Sequence, residues 1–142
     1  MIPKRRKRER ANIRPPSKVR DPGHLQFVRG FVCSAQVIGL DPCSGPIEAA
    51  HVQDDDRVPY EERGSLSDKP GDNWTYPLCR GHHGQSHRMG HARFDAAHHI
   101  DRVKIAERLW RMDAKARARR ARIKEIAKIL GRKQERNASH GT

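Results

Sequence analysis

The sequence predicts a small α+β domain that is stapled by a metal ion and carries a basic extension at each end. The 142-residue chain is only 35% hydrophobic and has few aromatic residues, so it can form one small core. Four potential metal ligands, Cys79, His82, His83 and His87, fall within nine residues. A small core commonly needs a metal ion for stability, and these ligands supply the means.

Positive charge is concentrated at the two ends of the chain. Residues 1–20 hold nine basic and one acidic residue, and residues 102–136 hold fourteen basic and four acidic residues. Residues 21–101 hold seven basic and twelve acidic residues, so the centre is acidic. Basic ends favour a polyanionic partner, most simply nucleic acid, although charge that serves solubility alone is the alternative.

The amino-terminal part of the sequence predicts a disordered basic arm over residues 1–22, followed by a core over residues 23–100. The arm contains almost no apolar residues, and phosphate contacts are expected from Lys4, Arg5 and Arg6. Apolar residues at helical spacing predict a short helix over residues 24–32.

Two short strands are expected next, with turns between them. Val37, Ile38 and Leu40 suggest the first strand, and residues 47–52, which include His51, suggest the second. Asp-Pro and Ser-Gly-Pro sequences between them are typical of turns. A β-hairpin would result, with Cys33 and Cys43 near its base, and the polar residues 54–73 would form a loop.

The carboxyl-terminal half predicts helices. One begins near residue 84 and breaks near Gly90, and another runs from about residue 102 to 130 with Asp101 as its N-cap. Gly131 is a plausible stop. We therefore expect a basic helical extension over residues 101–131, which can be interrupted near residue 114, and a flexible tail over residues 132–142.

The three cysteines and one histidine form a candidate structural zinc site. Cys79 and His82 have the two-residue separation with which one turn presents two ligands to zinc. Cys33 and Cys43 complete a Cys3His set, which suits a closed tetrahedral Zn2+ site and uses every cysteine in the chain. No apolar run follows the basic amino terminus, so we expect no secretion signal and a reducing cytoplasm, where such a set favours zinc.

Three further histidines form a candidate catalytic group. His83 and His87 are one turn apart on a helix, so they can hold a divalent ion that keeps open positions. Phosphodiester hydrolysis needs an activated water, a base and charge neutralisation at the phosphate. His51 is a candidate base, although a histidine on a strand that merely satisfies its hydrogen bonds is the alternative.

The combined pattern resembles the HNH endonucleases, which have a ββα-metal core related to the treble clef. A strand histidine follows Glu-Ala-Ala, a stretch with Asn and Trp comes next, and the motif LCxxHHxxxH ends the pattern. The resemblance covers about residues 24–110. More narrowly, the pattern resembles the phage-encoded branch of Ref-like RecA-dependent nucleases and YbcO-like prophage nucleases. Where the family often has CxxC before HxxxH, His82 here takes the place of the second cysteine.

The resemblance implies roles for particular residues. His51 would be the general base, and His83 and His87 would bind a catalytic Mg2+, Mn2+ or Zn2+. An Asn or Asp before the Cys79–His82 turn would orient the base or the metal ligands. Asn73 is the nearest candidate and Asp72 is the second.

One position departs from the family pattern. Many HNH proteins have an Asp or His directly before the base, but this chain has Ala50. Either the metal relies on His83, His87 and waters, or His51 is itself a ligand and another group is the base. Glu48 is a further candidate, although strand alternation places it on the opposite face from His51.

The leading functional hypothesis is a metal-dependent endonuclease that cuts double-stranded or branched DNA in phage recombination or DNA processing. The resemblance implies a recombinase filament as a possible partner and the bacterial host cytoplasm as the location; no membrane partner is expected. The alternatives are a non-catalytic, zinc-stabilised nucleic-acid-binding module and a basic assembly or packaging protein. Besides the arm, the candidate phosphate-binding residues are Arg117, Arg119, Arg120 and Arg122.

Overall fold

The computed structural model describes residues 18–38, 41–65 and 68–140, except for the side chains at positions 37 and 38. It is a mixed α+β structure with a two-stranded antiparallel sheet and helices. In chain order the elements are α1 (Pro22–Arg29), a 3-10 helix (Ser34–Ile38), β1 (Ile47–His51), a second 3-10 helix (Tyr60–Glu62), β2 (Thr75–Cys79), α2 (Arg80–Met89), α3 (His91–His98) and α4 (Arg102–Ser139).

The sheet pairs two strands that are far apart in the sequence. Ile47 lies opposite Cys79 and His51 lies opposite Thr75, so the two strands are in register over their full length. Every residue of β2 is buried, which explains why Tyr76–Cys79 show no alternation of apolar and polar residues, and the one polar residue, Thr75, donates its hydroxyl to the Asp72 carbonyl at 2.8 Å. Tyr76 and Leu78 pack with Phe94 of α3 and with Val103 and Ala106 of α4 to form the core.

Two helices are joined by a buried polar contact. Asp21 caps α1 by accepting the backbone N–H of His24 at 2.9 Å, and proline follows at the first helical position. The His24 ring lies 2.8 Å from the Asp113 carboxylate of α4, and both residues are almost fully buried. Arg117 then bridges Asp113 and Asp21, so α1 is anchored to the first half of α4.

The predicted hairpin between residues 37–40 and 47–52 is wrong. Ser34–Ile38 form a 3-10 helix, and β1 pairs with β2 instead. β1 pairs with β2 rather than with the segment near position 38, because this pairing buries all five residues of β2 in the core. The predicted strand that contains His51 is confirmed, as is the apolar run that leads to Cys79.

The helix predictions were mostly confirmed. The first helix, the break at Gly90 and the Asp101 cap, which accepts the Lys104 N–H, are all present. α4, however, shows no interruption near residue 114 and continues through Gly131 to Ser139. A helical glycine costs only about 1 kcal/mol, which the good helix formers on both sides of Gly131 offset.

Ile123, Ile126 and Leu130 on the outer part of α4 are about half exposed. Among the described residues, no helix combines the length and apolar character that crossing a membrane requires. Lys4, Arg5 and Arg6 lie outside the described residues, so the arm remains a prediction.

Candidate functional site

The predicted Cys3His set comes together in the structure. Cys33, Cys43, Cys79 and His82 present ligand atoms that all lie within 4.8 Å of one another. The Nδ1 atom of His82 is 3.4 Å from the Cys33 sulfur, 3.7 Å from the Cys43 sulfur and 3.2 Å from the Cys79 sulfur. One ring nitrogen therefore faces three sulfurs that arrive from separate parts of the chain.

These distances fit a tetrahedral metal ion. Zinc–sulfur and zinc–nitrogen bonds of about 2.3 and 2.0–2.1 Å at the tetrahedral angle put sulfur and nitrogen about 3.6 Å apart. The three observed distances, 3.2 to 3.7 Å, lie around that value. The cluster is thus compatible with a bound metal such as zinc, and all four predicted ligands belong to it.

The thiols of this cluster affect one another's protonation. Although Cys43 as a residue is exposed, desolvation of its thiol and the neighbouring Cys33 and Cys79 sulfurs raise its pKa to about 12. Without a metal ion the Cys43 thiol is therefore protonated near neutral pH, whereas a bound cation would favour the thiolate form that zinc requires.

Two glycines allow the chain to bring these ligands together. Gly45 has a φ of 77°, and a Cβ there would lie 2.9 Å from the Arg80 side chain. A Cβ on Gly81 would meet the Ser44 hydroxyl at 2.2 Å. Because both positions lack side chains, the Ser44 carbonyl can accept the Gly81 N–H and the loop can close over the start of α2.

His83 and His87 lie one turn apart on α2, as predicted. Their Nε2 atoms are 3.2 Å apart across one turn of α2. On its other side the His83 ring contacts Glu48 of β1, with 2.7 Å between Nδ1 and the Glu48 carboxylate. Arg80 donates to the second oxygen of the same carboxylate at 2.9 Å.

The spacing of the two Nε2 atoms suits shared coordination. Two nitrogens at about 2.0–2.1 Å from one ion are about 2.9 Å apart at a right angle and about 3.4 Å apart at the tetrahedral angle. The observed 3.2 Å lies between these values. Burial and the neighbouring His83 ring both lower the pKa of His87, which favours the neutral form that a metal requires.

His51 forms a pair with Asp72. Its Nε2 lies 3.0 Å from Asp72 Oδ1, and Asp72 Oδ2 accepts the backbone N–H of Asp21 at 2.8 Å. Burial lowers the pKa of His51, and Asp72 offsets this only in part. Burial would raise the pKa of Asp72, but the hydrogen bonds from His51 and Asp21 outweigh it, so the carboxylate stays ionised.

The residue beside His51 is therefore Asp72 rather than Asn73. The Asn73 side chain instead donates to Glu62 at 3.2 Å, and the Trp74 indole donates to the same carboxylate oxygen. Asn73 thus holds the loop before β2 and makes no contact with His51 among the described hydrogen bonds. Asn73 is the candidate nearer to Cys79 in the sequence. The turn before β2, however, directs the side chain of Asp72 toward His51 on β1.

The His51 pair and the α2 histidine pair are not in direct contact. Within the described part of the chain, no hydrogen bond or ion pair joins His51 to His83 or His87. Strand alternation accounts for this, because Glu48 and His51 are three positions apart on β1 and point to opposite faces. The β1 residue that meets the α2 pair is Glu48.

Three further residues, Asp41, His91 and His98, lie near these clusters, although their spacing in the sequence does not predict it. His98 and Asp41 each place a ligand atom within 4.8 Å of His82, and the ring of His91 packs edge-on against His87. Both histidines follow the break at Gly90, where the chain reverses onto α2. Only tertiary contact brings them near.

The predicted phosphate-binding arginines of α4 differ in their surroundings. Arg119 and Arg122 are exposed. Arg117 instead forms ion pairs with Asp21 at 2.8 Å and with Asp113 at 3.0 Å, and Arg120 lies 3.9 Å from Asp113. Arg117 is thus committed to the contact between α1 and α4.

The comparisons with known proteins add no relative. The chain matches no protein-family model, no curated protein and no solved structure at a significant level.

Proposed function

We propose that this protein is a metal-dependent endonuclease of the HNH class, with a ββα-metal core stapled by a structural zinc ion. The observation that carries the proposal is the His83–His87 pair, whose Nε2 atoms lie 3.2 Å apart at the exposed side of α2. β1, β2 and α2 supply the order of elements that such a core requires. The Cys3His cluster at the junction of β2 and α2 supports the structural staple.

The α2 pair would hold the catalytic ion. A divalent cation there supplies positive charge to the phosphodiester as negative charge develops on its oxygens. His83 and His87 contribute neutral nitrogens and leave further positions open for substrate. Because His83 and His87 are one turn apart on α2, the helix holds both rings on one face, and little reorganisation is needed on metal binding.

His51 would act as the general base. The ionised Asp72 only accepts hydrogen bonds, so Nε2 of His51 carries the proton and Nδ1 holds a free lone pair. The lowered pKa keeps the ring neutral near pH 7, and Nδ1 can then take the proton of the attacking water. His51 and the α2 pair lie on opposite faces of β1, so the base role rests on the resemblance, and a His51→Ala variant that cuts as fast as the parent would exclude it.

DNA is the proposed substrate because of the charge distribution. Arg119 and Arg122 are exposed on α4, residues 102–136 carry fourteen basic and four acidic residues, and the amino-terminal arm adds further positive charge. Contacts of this kind bind phosphates without reading the sequence. We therefore propose a nuclease with weak sequence preference that acts on DNA. The resemblance to phage-encoded HNH nucleases adds double-stranded or branched DNA in recombination or processing to this proposal.

The experiment that tests the proposal is plasmid nicking by the zinc-loaded protein with Mg2+, Mn2+ or added Zn2+. We expect nicking by the parent and by His140→Ala, an exposed histidine directly after the end of α4. His83→Ala and His87→Ala should each lose at least about 100-fold in rate, since a metal ligand is removed. If the parent nicks neither plasmid nor branched DNA with any of these ions, the proposal is wrong.

A second candidate is a zinc-stabilised DNA-binding module without catalysis. Two observations favour it: Ala50 stands where many HNH enzymes have a ligand, and His51 makes no contact with the α2 pair among the described hydrogen bonds. The two candidates separate in one comparison. Tight DNA binding that survives the loss of His51, His83 and His87, in a parent that never cuts, selects the module.

A further inference from the structure

We propose that Glu48 is the positioning residue for the metal-binding pair: it holds the proton of His83 on Nδ1 and thereby aims the Nε2 lone pair at the position shared with His87. This inference deepens the proposed metal site and rests on it. Its first support is the 2.7 Å contact between Glu48 Oε2 and His83 Nδ1.

The chemistry of the contact decides the tautomer of His83. An ionised carboxylate can only accept hydrogen bonds, so His83 Nδ1 must carry the proton that bridges the 2.7 Å gap. A neutral imidazole has one proton, which leaves Nε2 with a lone pair. That atom is the one 3.2 Å from His87 Nε2, so without metal it accepts the His87 N–H. For both Nε2 lone pairs to face a cation, His87 must carry its own proton on Nδ1 instead.

Glu48 is itself held in place from the opposite side. Arg80 donates through Nε to Oε1 at 2.9 Å while His83 occupies Oε2, so the two oxygens have separate partners. The backbone supports the same arrangement, because the Arg80 N–H donates to the Pro46 carbonyl at 2.9 Å at the entry to β1. The carboxylate therefore cannot rotate away from His83 without losing a second contact.

The position of Glu48 on β1 has a physical reason. Alternation places Glu48 on the face opposite to His51, and register pairs it with Leu78, directly before the residues that start α2. The first turn of α2 consequently lies over Glu48. A carboxylate that orients a ligating histidine typically accounts for 10- to 100-fold in metal affinity.

The direct test follows the tautomer of His83 in the zinc-loaded, full-length protein without added divalent ion. Imidazole 15N chemical shifts should report an Nδ1–H form in the parent and in Glu107→Ala, an exposed control on α4. Glu48→Ala should move His83 toward the Nε2–H form. An unchanged His83 tautomer in Glu48→Ala would overturn the proposal.

The second test is Mn2+ affinity, measured by electron paramagnetic resonance on the same zinc-loaded proteins. We expect Glu48→Ala to raise the Kd for Mn2+ by 10- to 100-fold, and Glu48→Gln, whose amide oxygen can still accept the Nδ1–H, to give a smaller rise. In a His83→Ala background, Glu48→Ala should have no further effect. Retained zinc and an unchanged unfolding temperature show that the fold is intact.

The outcomes separate this inference from the proposed function. If His83→Ala abolishes Mn2+ binding while Glu48→Ala leaves the Kd within twofold, Glu48 is not the positioning residue and the metal site stands. If His83→Ala leaves Mn2+ binding unchanged, the metal site itself fails. An equal effect of Glu48→Ala with and without His83 would also overturn the inference, because Glu48 would then act by another route.

Discussion

Removal of the metal from the Cys3His cluster should unfold the domain near body temperature. The cluster joins Cys33 and Cys43 to Cys79 and His82 at the start of α2, so it ties together three separate parts of the chain. A cross-link between Cys33 and Cys79 closes a loop of roughly 45 residues, which by chain entropy alone corresponds to about 4 kcal/mol. Small domains have total stabilities of about 5–15 kcal/mol, so this loss is a large fraction.

The measurement is thermal unfolding followed by circular dichroism, with and without a zinc chelator. For a folded core of about 100 residues, each kcal/mol shifts the midpoint by about 4–8 °C, so we expect a fall of about 15–30 °C. Cys79→Ser should show the same low midpoint without chelator, and chelator should then change nothing further. Adding Cys33→Ser to Cys79→Ser should cost little more, because the metal is already lost.

The reasoning would be refuted by a chelated protein that unfolds within about 5 °C of the zinc-loaded one. It would also be refuted if the two serine substitutions were additive. Additivity would mean that each cysteine contributes through packing rather than through a shared ion.

Three other predictions concern separate parts of the molecule. Asp113→Ala leaves a buried histidine without its partner and should cost about 3–5 kcal/mol in urea unfolding, against less than about 0.5 kcal/mol for the exposed Glu107→Ala; a loss below 1 kcal/mol would contradict this. Cleavage should fall as pH drops through the lowered pKa of His51, so the acidic midpoint of the pH–rate profile should lie below the ordinary 6.5, and a midpoint above it would exclude His51 as the base. Substitution of Arg119 and Arg122 by Ala should reduce the log–log salt dependence of DNA affinity by about 2 units, and an unchanged slope would remove both from the interface.

Local pattern accounted for much of the fold and of the ligand set. The cap at Asp101, the break at Gly90 and the strand with His51 follow from turn chemistry and periodicity, which act over a few residues. The Cys3His set followed from the two-residue separation of Cys79 and His82 and from the small number of cysteines.

Contacts between distant segments were not available from local pattern. The partner of β1 was mistaken because strand pairing depends on which apolar segment the core can bury, and β2 is entirely buried. Arg117 was assigned to phosphate binding, whereas packing of α1 on α4 pairs it with Asp21.

Residue types and their spacing set the chemistry available to this chain: three cysteines and closely spaced histidines in an acidic centre between basic ends. Residue identity and spacing along a helix or turn are properties of the chain alone. Which side chains meet depends on tertiary contacts, which place Asp72 rather than Asn73 beside His51, and Glu48 beside His83. These choices depend on strand register and on the angle at which a turn leaves the sheet, and both are set by the packing of the whole core.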